Sequence, residues 1–358
     1  MVIKMKICVY AISKNESKFV ERWYNSMKEA DEIYVLDTGS TDDTVIKLKE
    51  YGVNVKEEII KPWRFDIARN KSLEMLPKDT DLCVCTDLDE VFEPGWRKEL
   101  EKAKGYNQVR YNYIWSFDKY NNPSIQFYYE KIHSLKGYIW VNPVHEVLNC
   151  SLEHPKEIIL ENITLKHYPD PTKSRSSYLP LLELAVKENP QNDRNYHYLG
   201  REDMYYHKYN EAITTLKHHL TLKSATWPAE RCASLRFIAR CNLYLKNYDE
   251  ALKYALLSIS EAPIYREPYY ETASIYYELK KYAAAKHNLE LALLIKTNPK
   301  TYINEPNCYN GTLEDLLSIC EYNLGNYKQS YIYTIKSLKF DPNNERLQKN
   351  KEILETLI

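Results

Sequence analysis

Tyrosines recur in the second half of the chain at intervals that constrain it to pairs of packed helices. Four of them are each followed three residues later by a small residue. Twelve positions before each of these small residues lies a second small residue. The sets are Tyr209, Ala212 and Gly200; Tyr248, Ala251 and Ala239; Tyr282, Ala285 and Ala273; and Tyr327, Ser330 and Ser318. Small side chains at matched positions let two helices approach closely, so the pattern predicts a stack of helical hairpins.

The spacing of these units matches a known repeat length. Tyr248 and Tyr282 are 34 residues apart, which is the tetratricopeptide period, and Pro263, Pro299 and Pro342 close three of the units. Residues 300–312 lengthen the last interval and are interpreted as a loop insertion. The alternative is an ordinary helical bundle whose small residues coincide by chance, and four coincident pairs argue against it.

The first half of the chain has a different rhythm, in which short apolar runs alternate with segments of helical spacing. Strands are predicted at 6–12, 32–36, 53–60 and 82–85, and helices at 16–30, 41–51 and 66–74. This alternation predicts a mainly parallel sheet covered by helices, with ligands at the carboxyl ends of the strands. The predicted fold class is α/β plus all-α: a Rossmann-like domain at 1–177 and a tetratricopeptide-like helical repeat domain at 178–358, joined by a connector at 166–177.

Composition limits the functions that such a chain can have. The 358 residues are 44% apolar and 28% charged, as in soluble globular proteins, and the length favours two domains. The net charge of −1 argues against nucleic acid or an anionic membrane as the main partner. No apolar run is long enough for a transmembrane segment, and the N-terminus lacks a signal-peptide core. Eight scattered cysteines are interpreted as buried free thiols, which predicts a cytoplasmic protein.

Acidic residues follow the fourth predicted strand. Residues 82–92 read Leu-Cys-Val-Cys-Thr-Asp-Leu-Asp-Glu-Val-Phe, so Asp87, Asp89 and Glu90 are expected to converge at the edge of the sheet. Close carboxylates repel one another unless a cation or a proton lies between them, and a divalent metal is the usual solution. Mg²⁺ or Mn²⁺ held by one or two carboxylates also binds the oxygens of a nucleotide diphosphate. Asp37, which follows the second strand, is expected at the same edge.

Four stretches around these acids resemble the family 2 glycosyltransferases, which have the inverting GT-A fold. They are Ala-Ile-Ser-Lys-Asn-Glu at 11–16, Val-Leu-Asp-Thr-Gly-Ser-Thr-Asp-Asp-Thr at 35–44, Ala-Arg-Asn at 68–70 and Thr-Asp-Leu-Asp-Glu at 86–90. The resemblance covers about residues 1–170. A GT-A core followed by tetratricopeptide-like helices is similar to the S-glycosyltransferases that modify bacteriocin peptides and to related protein or surface-glycan transferases. It implies a nucleotide-sugar donor, most often a UDP-sugar, with Mn²⁺ or Mg²⁺, and a peptide, protein or glycan acceptor.

The resemblance also implies which residues contact the donor. They are Ile12, Lys14, Asn15, Glu16, Asp37, Arg69, Asn70, Asp87 and Leu88. Each has a structural alternative: Asp37 could form an Asx turn or cap a helix, Glu16 could be the first-turn acid of a helix, and Arg69 could form a surface ion pair.

The rest of the site is expected between residues 105 and 170, where aromatic, strand-like runs lie at 109–115 and 138–148. Two polar pairs, His145-Glu146 and Lys166-His167, interrupt apolar runs in this region. Glu146, alone or oriented by His145, is the candidate general base for the acceptor. His167 is expected to complete the metal shell with Asp87 and Asp89. The family's usual Glu-Asp catalytic pair is not plainly present, so the choice between Glu146 and His145 stays open. Each histidine could equally be a satisfied, half-buried side chain.

The leading hypothesis is therefore a glycosyltransferase, hexosyl or N-acetylhexosaminyl, whose repeats help to present the acceptor. The rival is a non-catalytic tetratricopeptide scaffold with a degenerate transferase core. A nucleotidyltransferase would need a Gly-rich phosphate loop after the first strand, and Lys14-Asn15-Glu16 is no such loop. Tyrosines are abundant on or near the predicted first helices of the repeats, where core packing or homodimerisation is the alternative to acceptor binding. They are Tyr205, Tyr206, Tyr244, Tyr276 and Tyr277.

Overall fold

A twisted sheet organises the first half of the chain in the computed structural model, which describes residues 5–173 and 176–358. Residues 174 and 175 of the predicted connector lie outside the described residues. The strands are β1 (Ile7–Ser13), β2 (Glu32–Asp37), β3 (Asn54–Glu57), β4 (Leu82–Thr86), β5 (Glu90–Phe92), β6 (Gln108–Phe117), β7 (Pro123–His133), β8 (Tyr138–Val141), β9 (Val147–Cys150) and β10 (Glu157–His167). The helices between them are α1 (Val20–Met27), α2 (Thr44–Glu50), α3 (Phe65–Leu73) and α4 (Trp96–Leu100), and α5 (Tyr178–Glu188) follows the last strand.

The sheet has the order β3-β2-β1-β4-β7-β6-β10-β5, and β8 and β9 form a separate hairpin. β3, β2, β1 and β4 run parallel, whereas β7 is antiparallel to both β4 and β6. The register pairs Ser13 with Asp37 and Ala11 with Thr86. The carboxyl ends of β1, β2 and β4 therefore meet at one edge of the sheet, as the sequence predicts.

The central strands form because their residues are almost continuously apolar. Every residue of β1 and β4 is buried, which is the pattern of strands covered on both faces. Helix α1 buries Val20, Trp23 and Met27, and the Trp23 indole donates to Thr86 Oγ1 at 3.1 Å. The predicted strands and helices of this half are thus confirmed. β3, α1 and α2 are shorter than predicted, whereas β2 and β4 each end one residue later. Helix α1 begins at Val20 rather than at residue 16, because Asn15 has a positive φ of 55° and residues 16–19 form a turn.

Two sequence interpretations of the later strands need correction. The strand-like run at 138–148 is a hairpin, in which Tyr138 pairs with Cys150 and Val141 with Val147. Positive φ values at Asn142 (78°) and His145 (49°) break the extended backbone between the two strands. The connector was predicted to begin at residue 166, but β10 continues through His167, because its last three residues pair with β5.

The chain divides into two compact units. The first runs to Ala185 and also includes Lys300–Tyr302, and the second comprises Val186–Pro299 and Ile303–Ile358. The division falls within α5, whose first residue is the predicted start of the second domain. Within the first unit, the Tyr302 ring lies 6.1 Å from the Phe127 ring, and Lys300 Nζ lies 5.3 Å from the centre of the Tyr128 ring.

Helices make up the second unit in the described part of the chain. They are α6 (Asp193–Tyr205), α7 (Tyr209–Thr221), α8 (Pro228–Tyr244), α9 (Tyr248–Glu261), α10 (Glu267–Glu278), α11 (Tyr282–Leu294), α12 (Thr312–Asn323), α13 (Tyr327–Leu338) and α14 (Glu345–Glu355). Each periodic tyrosine is the first residue of the second helix of a pair. The predicted tetratricopeptide-like repeats are therefore confirmed.

The small residues allow the paired helices to approach as the sequence predicts. Ala212, Ala239, Ala251, Ala273 and Ala285 are fully buried. A Cβ atom added to Gly200 would lie 2.5 Å from Leu216 Cγ, closer than real contacts allow. In the last pair, the hydroxyl groups of Ser318 and Ser330 lie 3.1 Å apart. Backbone and side chain meet so closely at these positions that larger residues do not fit.

The predicted insertion is confirmed as a largely irregular segment between α11 and α12, with one short 3-10 helix at Pro306–Cys308. Glu305 fixes it to α8. The Glu305 carboxylate accepts from Arg236 at 2.6 Å and from Arg240 at 3.1 Å, and Arg240 also pairs with Glu271 of α10. A buried charge cluster thus holds the insertion against the first helices of two repeats.

The eight cysteines are all unpaired thiols, and seven of them are buried, as predicted. Cys83 and Cys85 lie in the same small apolar cluster beneath the sheet. Among the described residues, no helix combines the length and the apolar character that a membrane crossing requires.

Candidate active site

The loop after β2 is organised by Asp37. Its Oδ1 accepts the backbone N–H groups of Gly39 at 3.0 Å and Ser40 at 2.7 Å, and its Oδ2 accepts the Ser13 hydroxyl at 2.7 Å and the Ser40 hydroxyl. Only 1% of Asp37 is exposed. Gly39 follows with a φ of 107°, which suits glycine. This is the Asx-turn arrangement considered as the alternative, so a direct contact of Asp37 with the donor stays a prediction.

Asn15 ties the loop after β1 to the loop after β2. Its Oδ1 accepts the N–H of Thr41 at 2.7 Å, and its own N–H donates to Ser40 Oγ at 2.8 Å. Two further residues of this region, Ile12 and Lys14, are predicted to contact the nucleotide-sugar. Ile12 is buried, whereas Lys14 is exposed. The edge of the sheet thus carries a hydrogen-bonded double loop that could receive a nucleotide.

Glu16 lies at the same edge, in the field of the acids after β4. One of its carboxylate oxygens pairs with Lys173. Burial raises the pKa of Glu16 to about 7, Lys173 opposes this change, and the charges of Asp89 and Asp87 add to it. Because α1 begins only at Val20, Glu16 is not a first-turn acid of that helix. The first-turn alternative is therefore wrong, and a contact of Glu16 with the nucleotide-sugar stays a prediction.

Asp87 is held by two cations. Its Oδ1 lies 2.7 Å from Arg69 Nη2, and its Oδ2 lies 3.3 Å from Lys131 Nζ. Desolvation raises the pKa of Asp87, but the charges of Arg69 and Lys131 outweigh it and hold that pKa well below the ordinary range. About a third of the Asp87 side chain stays exposed. Asp87 is therefore a fixed anion at the edge of the site.

Lys131 is the site residue that the sequence interpretation missed. It lies in β7, is 3% exposed, and contacts both oxygens of the buried Glu90 at 2.8 and 2.9 Å. Glu90 also accepts the Tyr113 hydroxyl at 2.6 Å and the N–H of Asp87 at 2.8 Å. No local pattern pointed to Lys131, because a lysine in a strand that also contains Gln126 and Glu130 is usually exposed.

Arg69 joins the acids after β4 to the β8–β9 hairpin. Its Nη2 contacts Asp87, its Nε donates to Glu146 Oε1 at 2.9 Å, and its guanidinium lies 5.5 Å from the centre of the Trp140 ring. The guanidinium is buried, so the alternative of a surface ion pair is wrong. Asn70 bonds the backbone of Trp140 in both directions, at 2.9 and 2.8 Å, and thereby positions the hairpin.

The two candidate bases have different surroundings. Glu146 contacts Arg69, and 12% of its side chain is exposed. His145 adopts a positive φ in the turn, and its ring packs edge-on against Tyr178 at 5.7 Å. The structure therefore brings Glu146, and not the His145 ring, to the charged cluster around Arg69.

Asp89 faces His167. Asp89 Oδ2 lies 3.4 Å from His167 Nε2, and the other ring nitrogen, Nδ1, lies 3.0 Å from the carbonyl oxygen of Trp115. Nδ1 faces that carbonyl, and Nε2 faces the Asp89 carboxylate. Burial lowers the pKa of His167, but the hydrogen bond and the charge of Asp89 outweigh it and raise that pKa. A divalent cation would take the place of the Nε2 proton between the two side chains. A backbone carbonyl that accepts from the other ring nitrogen is the usual support of a metal-binding histidine. One imidazole nitrogen and one carboxylate, here His167 and Asp89, also suit a divalent cation as ligands. Asp87 is engaged by Arg69 and Lys131 instead, so Asp89 and His167 are the better-placed candidates, and the metal role of all three stays a prediction.

A cavity of about 350 Å³ lies between the hairpin and β6, β7 and β10. Its lining includes Tyr129, Lys131, Trp140 and Glu146. It gives the candidate base access to a space with two aromatic walls, which suits a sugar or peptide group.

Residues 8–146 match the family model described as glycosyl transferase family 2. The first unit contains a family 2 glycosyltransferase domain. Relatives of this domain include an uncharacterized glycosyltransferase of Rickettsia bellii, 35% identical over 112 residues, which are 31% of this chain and 37% of that protein. A second, from Rickettsia conorii, is 37% identical over 108 residues, 30% of this chain and 37% of that protein. The matched segment thus spans little more than a third of these relatives.

Solved structures similar to the chain include MamA and a TPR protein. A MamA structure has a TM-score of 0.39 and 16% identity, covering 49% of this chain and 96% of MamA. A thermophilic TPR protein of Thermus thermophilus has a TM-score of 0.38 and 19% identity, covering 51% of this chain and 90% of that protein.

Proposed function

We propose that this chain is an inverting, metal-dependent glycosyltransferase that moves a hexosyl or N-acetylhexosaminyl group from a UDP-sugar to a peptide, protein or glycan acceptor. The observation that carries the proposal is the bridge formed by Arg69, whose guanidinium contacts Asp87 on one side and Glu146 on the other. It places a candidate base beside the acids that follow β4. The family match in the same residues gives the reaction class.

Asp89 and His167 would hold Mn²⁺ or Mg²⁺, which would offset the negative charge that grows on the diphosphate leaving group. The double loop fixed by Asp37 and Asn15 would receive the nucleoside. Arg69 and Lys131 neutralise Asp87 and Glu90, so these two acids do not repel an anionic donor as strongly as unpaired carboxylates would.

Glu146 would take the proton of the acceptor as the acceptor attacks the anomeric carbon. Arg69 fixes the direction of the Glu146 carboxylate, since its Nε donates to Oε1. Attack from the face opposite the diphosphate inverts the anomeric centre in a single displacement. Glu146→Gln should therefore retain donor binding and lose transfer, because the amide cannot accept the proton.

Thermal stabilisation by UDP with Mn²⁺, together with hydrolysis of candidate UDP-sugars, tests the proposal. Wild-type protein should melt several degrees higher with both ligands than with either alone. Asp89→Asn should lose this shift and the turnover while its melting temperature without ligands is unchanged. Asp79→Asn is the matched control, because Asp79 is an exposed aspartate of the same unit. Near-normal, metal-requiring turnover of Asp89→Asn would overturn the assignment, and wild-type protein without stabilisation or turnover would favour the non-catalytic scaffold.

The repeats are proposed to present the acceptor. Tyr205, Tyr206 and Tyr244 lie at the ends of α6 and α8 with 44–57% of their surface exposed, whereas Tyr276 and Tyr277 pack against a core cluster. Tyr205→Ser with Tyr244→Ser should leave donor hydrolysis unchanged and reduce transfer to a peptide acceptor, followed by intact mass. Tyr120→Ser, an exposed tyrosine of the first unit, is the control. Equal transfer by both variants would remove these tyrosines from the acceptor site.

A further inference from the structure

Three potential metal ligands converge where α6, α7 and α8 meet. Asp193 is the first residue of α6, His219 lies in the last turn of α7, and Glu230 lies in the first turn of α8. One ligand atom from each lies within 4.8 Å of the others. In the described part of the chain, this is the only such group of three, and none of its members belongs to the candidate active site.

His219 is the observation that points to a ligand. Its side chain is completely buried, and neither ring nitrogen has a hydrogen-bond partner. Its Nε2 lies 3.4 Å from Glu230 Oε1. Buried imidazole nitrogens normally donate or accept, so a buried ring with two unsatisfied nitrogens, of which Nε2 lies beside a carboxylate, needs an explanation.

His197 packs beside this cluster. Its ring lies 5.6 Å from the His219 ring, its Nδ1 lies 2.8 Å from Ser234 Oγ, and its buried Nε2 also has no partner. Burial lowers the pKa of His197 to about 3, and Glu230 opposes this change. His197 lies beside the group of three ligands and is not a member of it.

We propose that Asp193, His219 and Glu230 form a second metal site, for a divalent transition metal such as Zn²⁺. One imidazole nitrogen and two carboxylate oxygens form a donor set that zinc accepts at about 2.0–2.2 Å. Ligand atoms around such an ion are about 3.3 Å apart. Side-chain rotations that move each ligand atom by about 1 Å would bring the three atoms to that spacing. Two carboxylates and a neutral imidazole would balance the charge of the ion.

The bound ion would be structural. It would join the first helix pair of the repeats to the first helix of the next pair, close to the termini of these helices. Asp193 is only partly buried, so the ion has a route from solvent. The inference is independent of the proposed transferase activity, because it concerns the second unit alone.

Zinc binding by the full chain tests the proposal, with Asp89→Asn as the background that removes the ligand pair in the first unit. Metal-free protein should take up a single equivalent of Zn²⁺ by titration calorimetry. With Co²⁺ it should develop the visible absorption of a site that contains nitrogen and oxygen ligands. His219→Gln and Asp193→Asn should each lose that equivalent and that absorption. His218→Gln, which changes the neighbouring exposed histidine, should lose neither.

The melting temperature gives a second readout. Zn²⁺ should raise it by several degrees in the Asp89→Asn background, a chelator should reverse the rise, and neither should affect His219→Gln. Should His219→Gln fail to fold, Asp193→Asn, at a partly exposed helix start, decides the question. Absence of Zn²⁺ uptake, or uptake that survives both substitutions, would overturn the proposal.

Discussion

The ammonium of Lys131 lies 2.8 Å from the carboxylate of Glu90, and both side chains are almost completely buried. The pair carries more than its own two charges, because Lys131 also contacts Asp87 and Glu90 also accepts from the backbone of Asp87. A buried ion pair contributes little net stability, but removal of one partner leaves an uncompensated charge in a medium of low polarity. The acids after β4 therefore depend on a lysine from a distant strand.

Lys131→Met should destabilise the first unit by about 3–5 kcal/mol, since Glu90 would lose its cation. Glu90→Gln in the same chain should recover part of this loss. Denaturant unfolding, followed by tryptophan fluorescence, measures both effects. Lys136→Met is the control, as it removes an exposed lysine from the loop after β7. If Lys131→Met unfolds at the wild-type denaturant concentration, the pair is not the support described here.

Asp37→Ala should cost about 1–3 kcal/mol and weaken donor binding more than it slows chemistry. The substitution leaves four donors of the double loop without their acceptor, and the loop is expected to contact the donor equally in the ground and transition states. A rise in KM with little change in kcat is the expected result. Asp43→Ala, at an exposed position of the same loop, should leave KM unchanged. An unchanged KM with a collapsed kcat in Asp37→Ala would assign Asp37 another role.

Glu16 should make stability depend on pH. Its pKa in the folded protein is about 7, against an ordinary value of 4.5, so the folded state binds a proton that the unfolded state has released between these values. The contribution of Glu16 is thus favourable below about pH 4.5 and is lost as the pH rises through about 7. Glu16→Gln should melt at a higher temperature than wild type at about pH 8, and the difference should vanish near pH 5. Glu21→Gln, on the exposed face of α1, should show no such trend.

Gly200→Ala should destabilise the second unit by about 1–3 kcal/mol, although alanine is the better helix former. The added Cβ would lie 2.5 Å from Cγ of Leu216, which is completely buried and cannot move aside cheaply. Leu216→Ala removes the obstacle, so the double variant should be more stable than the sum of the two single changes predicts. Additive losses, measured by calorimetry, would place the strain elsewhere.

Sequence periodicity predicted what depends on local pattern. The apolar runs of β1 and β4 and the tyrosines that open α7, α9, α11 and α13 each carry their own signal, because burial on two faces or one helical stripe is encoded in neighbouring residues. Lys131 has no such signal. It meets Asp87, 44 positions earlier, only because β7 inserts antiparallel between β4 and β6.

The orientation of His145 and Glu146 in the β8–β9 turn could not be predicted from the local sequence either. Strand alternation assigns His145 and Glu146 to opposite faces, but the positive φ of His145 breaks the alternation and sends its ring toward Tyr178. Turn geometry of this kind depends on the contacts of Arg69 and Trp140 across the hairpin, and these come from helix α3 and strand β8. The metal and donor roles of the site residues stay predictions.

The tripeptide Lys300–Tyr302 belongs to the first unit but is synthesised long after the rest of that unit. After Ala185 has been synthesised, the ribosome must add more than a hundred residues before it reaches this tripeptide. At about 5–20 residues per second, this takes on the order of ten seconds. Until then, Phe127 and Tyr128 of β7 lack the Tyr302 ring and the Lys300 ammonium that later lie beside them. The nascent transferase domain thus stays incomplete while most of the repeats are being made, so a chain that is cut short before residue 300 loses part of both units.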